Sequence, residues 1–149
     1  KDDHATFEKT KTELIHHSLG KRDLSDFSVL FDGEVILPSE SVKWVGVWVD
    51  AKLKGELHIR HRAASAARAL NASLALTHAM WGLKPLMVRD LVLSLVLPRL
   101  DYGVSSFFPL PPTALKPLDR VNKSAARCIT GAYRTASLAA LEKEAAILP

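Results

Sequence analysis

Lys116, Arg120, Lys123 and Arg127 follow one another at three- and four-residue spacing. On an α-helix that spacing gathers all four cations on one face, and only Asp119 stands nearby to offset them. Such a row can neutralise the phosphates of a nucleic-acid strand without reading its bases. A solvated helix face has the same composition, so both readings stay open. Arg60 and Arg68, eight residues apart, form a looser basic set with Lys52, Lys54 and Arg62. It has the same two readings: phosphate contact along a duplex, or plain surface.

Other chemistry finds little support. His16 and His17 are adjacent, so on a strand they point to opposite faces. His58 and His61 can share a helix face, but no third ligand follows by spacing and no HExxH motif is present. No metal site is expected. Cys128 is the single cysteine and lies beside Ile129 in an apolar stretch, which suits a buried, inert thiol. It has no partner for an internal disulfide, in keeping with a reducing compartment. No glycine-rich phosphate loop and no G-x-S-x-G elbow occurs.

The elements that must position these residues change character along the chain. Residues 12–18 alternate between apolar and polar side chains. Residues 27–38 contain two apolar runs joined through Asp32-Gly33, a pair that favours a hairpin turn. Residues 41–50 are rich in Val and Trp, as strands are. Gly46 in their middle suits a bulge or a close backbone approach. Trp44 and Trp48, both even-numbered, are expected on one face of that strand and Val45, Val47 and Val49 on the other. After Asp50 the period becomes helical. A long Ala-rich helix over 53–80 would bury Leu57, Ala64, Ala67, Leu70, Leu74 and Trp81. A second helix over 86–97 would kink or break at Pro98. A third, over 113–129, would turn Leu115, Leu118, Val121, Ala125 and Ile129 inward, with Pro117 near its first turn and Gly131 as C-cap. A short fourth helix covers 138–147. The expectation is an α+β fold: a small antiparallel β portion over 1–52, then a bundle of three to four helices over 53–149.

Composition agrees. Apolar residues make up 48% of the 149, enough for a packed core. Residues 1–50 hold six Lys/Arg and ten Asp/Glu (−4), residues 51–149 fourteen and six (+8), which together give the net +4. A basic helical part is the electrostatic footprint of a phosphate-binding surface. The N-terminal stretch lacks an apolar signal core. The apolar run 91–98 is too short to span a bilayer. Neither a secretion signal nor a membrane anchor is expected, and an intracellular setting, cytoplasm and nucleus, follows.

Three stretches, in order, resemble the reverse transcriptases of LINE-like (non-LTR) retrotransposons of fungal type. ATFEKTKTELIHHS (5–18) resembles the family's GATFE-x-x-KT-x-x-IHF around motif D. FDGEVILPSESVKWVGVWVDAKL (31–53) is similar to F-x-G-x-x-I-x-P-x-x-x-V-K-x-L-G-V-x-x-D-x-x-L, the motif E primer grip leading into the thumb. LPRLDYGVSSFF (97–108) and LDRVNKSAARCITGAYRTASLAALEKEAAILP (118–149) resemble P-x-x-DYA and the N-R-V-Q…TGA-[FY]-RT…LP run that precedes a tethered RNase H domain. His17 departs from the usual aromatic residue, and Gly103 from the usual Ala.

The resemblance implies the end of the palm plus the thumb and connection region of an RNA-directed DNA polymerase. The family's catalytic [FY]-x-DD belongs upstream. Asp2-Asp3 imitate it, but they stand too close to ATFE, where a whole helix should intervene. The chain is therefore expected to lack polymerase activity as an isolated fragment and to bind no cofactor, Mg2+ being expected of the full-length enzyme. Lys11 corresponds to a motif D lysine placed to neutralise the leaving pyrophosphate; a solvated lysine is the alternative. The stretch VKWVGVWV corresponds to the primer grip, a hairpin whose tight strand pair, with the small Gly46, lets backbone amides approach the primer's terminal phosphates while Lys43 adds a charge contact; core on both faces is the alternative. The implied partners are RNA/DNA primer–template, the missing palm and fingers of the same polyprotein, and a downstream RNase H domain. Two alternatives remain: a degenerate or truncated retroelement copy, and a helical protein–protein interaction module anchored by Trp81, Phe107 and Phe108.

Overall fold

Val29–Phe31 (β1) and Glu34–Ile36 (β2) pair as an antiparallel hairpin in the computed structural model, which describes residues 11–17, 27–31, 33–77 and 82–147. Gly33 has φ of 82°, the sign a tight turn requires; Asp32 lies outside the described residues. Ser41–Trp44 (β3) and Val47–Asp50 (β4) form a second antiparallel hairpin. Its last pair is Trp44↔Val47, so Val45 and Gly46 alone make the loop, with φ of 47° and 80°. Positive φ at both central residues marks a type I′ turn, whose twist matches the flanking strands. Gly46 therefore reverses the chain and is not a bulge within one strand.

The turn also corrects the expected faces. Cross-strand partners share a face and neighbours alternate. Val42, Trp44, Val47 and Val49 lie on one side, and Ser41, Lys43, Trp48 and Asp50 on the other. The two tryptophans are on opposite faces because the hairpin reverses the parity between them.

Residues 11–17 form no strand. Leu14 makes an isolated parallel bridge to Pro38, and the Ser39 N–H donates to the Leu14 carbonyl at 2.7 Å. Pro38 has no N–H to extend that ladder. After β4, the Asp50 carboxylate accepts from the N–H groups of Lys52 (3.1 Å), Lys54 (2.9 Å) and Gly55 (3.1 Å). This closes the loop in which Leu53 takes a positive φ.

The chain divides into two units, 1–55 and 56–149. The second is helical. Glu56–Leu74 (α1) packs on α3 (Leu97–Asp101) and α4 (Pro112–Thr130), and α4 in turn on α5 (Leu138–Ala145). α1 buries His58, Ile59, Ala63, Ala66, Ala69, Leu70 and Ser73. Of the expected stripe, Leu70 is buried, Leu57 and Ala67 are half-buried, Ala64 and Leu74 are exposed, and Trp81 lies outside the described residues. The packed face runs through Ile59, Ala63 and Ala66, the last two each one residue before the expected Ala64 and Ala67. α1 also stops at Leu74, not at 80; a turn follows, with Leu76 N–H donating to Ser73 O at 3.0 Å.

The helix over 85–101 continues through Pro98. Pro85–Leu91 (α2) leads through a π turn at Val92–Val96 into α3. The proline offers no N–H to the carbonyl of Ser94. The wider turn just before it, with Leu97 N–H donating to Val92 O, absorbs the misfit that was expected to break the helix. Gly103, with φ of 73°, ends this run and a 3-10 turn covers Val104–Phe107. α4 begins at Pro112, so Pro117 falls in its second turn. Gly131, with φ of 67°, caps α4 and its N–H donates to Arg127 O at 2.8 Å. Val121, Ala125, Ala126 and Ile129 of α4 are buried, and Leu118 packs against them. The architecture is α+β.

Candidate nucleic-acid interface

α4 is strongly amphipathic, and its basic residues occupy the side away from Val121, Ala125 and Ile129. Lys116 and Arg120 are exposed and Lys123 is half-buried. None of the three has an acidic partner among the described residues. They span about 10 Å of helix at 1.5 Å per residue, roughly three phosphate spacings along one strand of a duplex. Arg127 completes the spacing but is committed elsewhere. Its Nη2 donates to the Arg134 carbonyl at 2.7 Å, across the loop that Gly131 opens. Its charge remains; its geometry serves the end of α4. Tyr133, in the same loop, is the most exposed large hydrophobic side chain among the described residues. A lone loop tyrosine gave no signal in the sequence.

The basic residues of α1 are less free. Arg60 lies 4.0 Å from Glu56 one turn earlier, an exposed pair of small energetic weight. Arg68 is exposed and stands about 80° around the helix from Arg60. Arg62 is half-buried: its guanidinium sits 5.3 Å from the Tyr102 ring centroid, and its Nε is buried without an acceptor.

In unit 1–55, Lys11 is exposed in a short helical turn just before Leu14. Lys43 projects on the Trp48 side of the second hairpin, with Nζ 6.0 Å from the indole centroid. Gly46 sits at the tip of that hairpin, and Trp44 beside it is 73% exposed. The β-branched Val45 at positive φ is a strained choice for a turn, of the kind found where a tip has a task besides turning.

Spacing brought His58 forward only as a helix-face neighbour of His61, yet it anchors the corner of the helical unit. It is fully buried, and its Nε2–H donates to the Tyr102 carbonyl at 2.8 Å. Its ring lies 5.6 Å from that of Phe107. Burial pushes its pKa below the ordinary 6.5, against the raising effect of the Tyr102 hydrogen bond; Arg62 and His61 lower it further. The Asp-Tyr-Gly corner is thus tied to α1 through the Nε2–H of a buried imidazole. Burial raises the Cys128 thiol, which a hydrogen bond with Thr77 only partly offsets.

Phe107 is half-buried against His58, and Phe108 is 60% exposed. Trp81, Asp2, Asp3 and the ATFE segment lie outside the described residues. Among the described residues, no group of three or more His, Cys, Asp or Glu side chains is placed to hold a metal. No described helix is long and apolar enough to cross a membrane. No family model, curated protein or solved structure matches this chain.

Proposed function

We propose that this chain is the palm-end and thumb part of a reverse transcriptase of the LINE-like (non-LTR) type, and that its work is to hold primer–template. The metal-binding aspartates of such an enzyme would come from another part of the polymerase, together with its fingers and RNase H domain. The observation that carries the reading is the row of exposed Lys116 and Arg120 with half-buried Lys123 on α4, without acidic partners among the described residues. It is supported by the order of the three resembling stretches and by a hairpin whose turn presents Gly46 next to Lys43 and Trp44. Arg60 and Arg68 would add outer phosphate contacts.

The test is binding of an RNA–DNA hybrid across a salt series, for the chain and for Lys116→Gln/Arg120→Gln/Lys123→Gln. Each phosphate contact contributes about 0.9 to the slope of log affinity against log salt. The triple variant should lose about 2 to 3 units of slope and bind more weakly on every sequence. An unchanged slope, or wild-type affinity no higher than that of an unrelated protein of equal charge, rejects the reading. Arg127 is left intact because its bond to Arg134 would confound folding with binding.

A further inference from the structure

The helical unit has a second surface that phosphate binding does not use. A cleft of about 730 Å3 runs between the helix over 92–101 and α4. Leu93 and Leu97 form one wall, Leu115 and Leu118 the other, and Phe108 stands at one end. The wall residues are only half-buried and Phe108 is more exposed still, so this apolar lining faces water rather than enclosing a void. On each side the apolar positions recur one helical turn apart, which makes two ridges with a groove between them.

The rim gives the groove a sign. Asp101 and Asp119 both border it and both are exposed, with no cation paired to either among the described residues. Arg89 also borders it, but its guanidinium is turned onto the end of α5, donating to Ala145 O at 3.2 Å and Ala146 O at 3.0 Å. A nucleic-acid strand is the wrong occupant: the floor is apolar and the free rim charges repel phosphate. Two parallel ridges of Leu suit a third helix that inserts apolar side chains at i, i+3 or i+4, and i+7. The free aspartates ask that this helix be basic.

We infer that this groove docks a short amphipathic helix of a protein partner, with an apolar stripe and flanking Lys or Arg residues that meet Asp101 and Asp119. The site is independent of the phosphate-binding reading. On α4, Leu115 and Leu118 lie on a different side from Lys116, Arg120 and Lys123, while Asp119 stands at the border of the two surfaces, one turn from Lys116 and from Lys123.

The experiment uses the full chain and two fluorescent helical peptides of identical Leu pattern, one with Lys and one with Glu at the polar positions. The Leu/Lys peptide should bind saturably and about tenfold or more tighter than the Leu/Glu peptide, as two charge pairs of up to about 1 kcal/mol each allow. Asp101→Lys/Asp119→Lys should reverse that order, and Leu115→Gln should weaken the favoured peptide for either protein. Circular dichroism checks that each variant is folded. Should the double reversal unfold, Asp101→Asn and Asp119→Asn, made singly, must each narrow the preference. Absence of saturable binding, equal binding of both peptides, or a preference the charge changes leave untouched overturns the inference. Displacement of the peptide by RNA–DNA hybrid from the triple Gln variant would also overturn it, by assigning the cleft to nucleic acid.

Discussion

Every buried apolar side chain among the described residues lies between Ile59 and Ile147, whereas the hairpins before Gly55 leave Leu30, Leu37 and Trp44 largely in water. The two regions have similar raw material: Val, Leu and aromatic residues are plentiful in both. They differ in what a short element can cover. An isolated two-stranded hairpin is marginal alone, and among the described residues neither hairpin buries an apolar side chain. Four helices in mutual contact bury one stripe each. The contrast suits a β region that completes its packing against a larger partner and a helical region that packs on itself. The acidic balance of the first and the basic balance of the second follow the same division.

One substitution made in both regions tests this difference most severely. Leu70 is 3% exposed and Leu30 71%. Leu70→Ala should cost about 2–5 kcal/mol in urea unfolding, from lost transfer energy plus the cavity left behind. Leu30→Ala should stay within about 0.5 kcal/mol, as exposed changes do. A comparable loss from Leu30→Ala would mean that the first region has a core of its own, and the contrast would fall.

The next effect is specific to the helical corner. His58→Ala leaves the Tyr102 carbonyl without its donor and should cost about 1–3 kcal/mol. The wild-type imidazole also sets a pH dependence. Its folded-state pKa is lowered from 6.5, so the unfolded chain takes up the proton first. The stabilisation is complete above pH 6.5 and is lost as the pH falls towards the lowered folded value. His58→Phe should flatten this part of the stability–pH curve, measured by urea midpoints from neutral to mildly acidic pH. A curve as steep in the variant as in the wild type would assign the dependence to other groups.

Much of the helical unit was legible in the sequence because helix punctuation is local. Gly131 caps α4 where its position after the basic stripe implied, and the inward set of α4 largely holds. The miss at α1 is instructive. Periodicity chose Leu57, Ala64, Ala67, Leu70 and Leu74, while the packed face runs through Ile59, Ala63, Ala66 and Leu70 and the buried His58, whose partner is the Tyr102 carbonyl far along the chain. No local pattern announces a hydrogen bond to a distant carbonyl. Pro98 failed as a breaker for a related reason: the helix can widen by one residue, and only the packed structure reveals that it does. Of the basic residues, spacing located the α4 row correctly. It could not show that Arg127 and Arg62 are engaged with Arg134 and Tyr102. The docking cleft was invisible because its walls come from two helices joined through an irregular corner.

The smallest expected effect probes the hairpin tip. Composition placed Gly46 in the middle of one strand and the primer-grip resemblance in a hairpin; the hairpin is there, and its turn places Val45 before Gly46 at a φ of 47°, a conformation that β-branched residues rarely adopt. Asn at that position makes the Asn-Gly pair that type I′ turns prefer. Val45→Asn should relieve strain of about 1 kcal/mol and slow amide exchange in β3 and β4 by a factor of about five. Exchange at Ala63, Ala66 and Ala126, in the core of the helical unit, should not change. Protection that rises in both regions would show that the tip is coupled to the helical core. Protection that rises in neither would show that the hairpin already tolerates Val45. If the gain is local and hybrid binding weakens, the strained valine is held for its contact with the primer–template rather than for the turn.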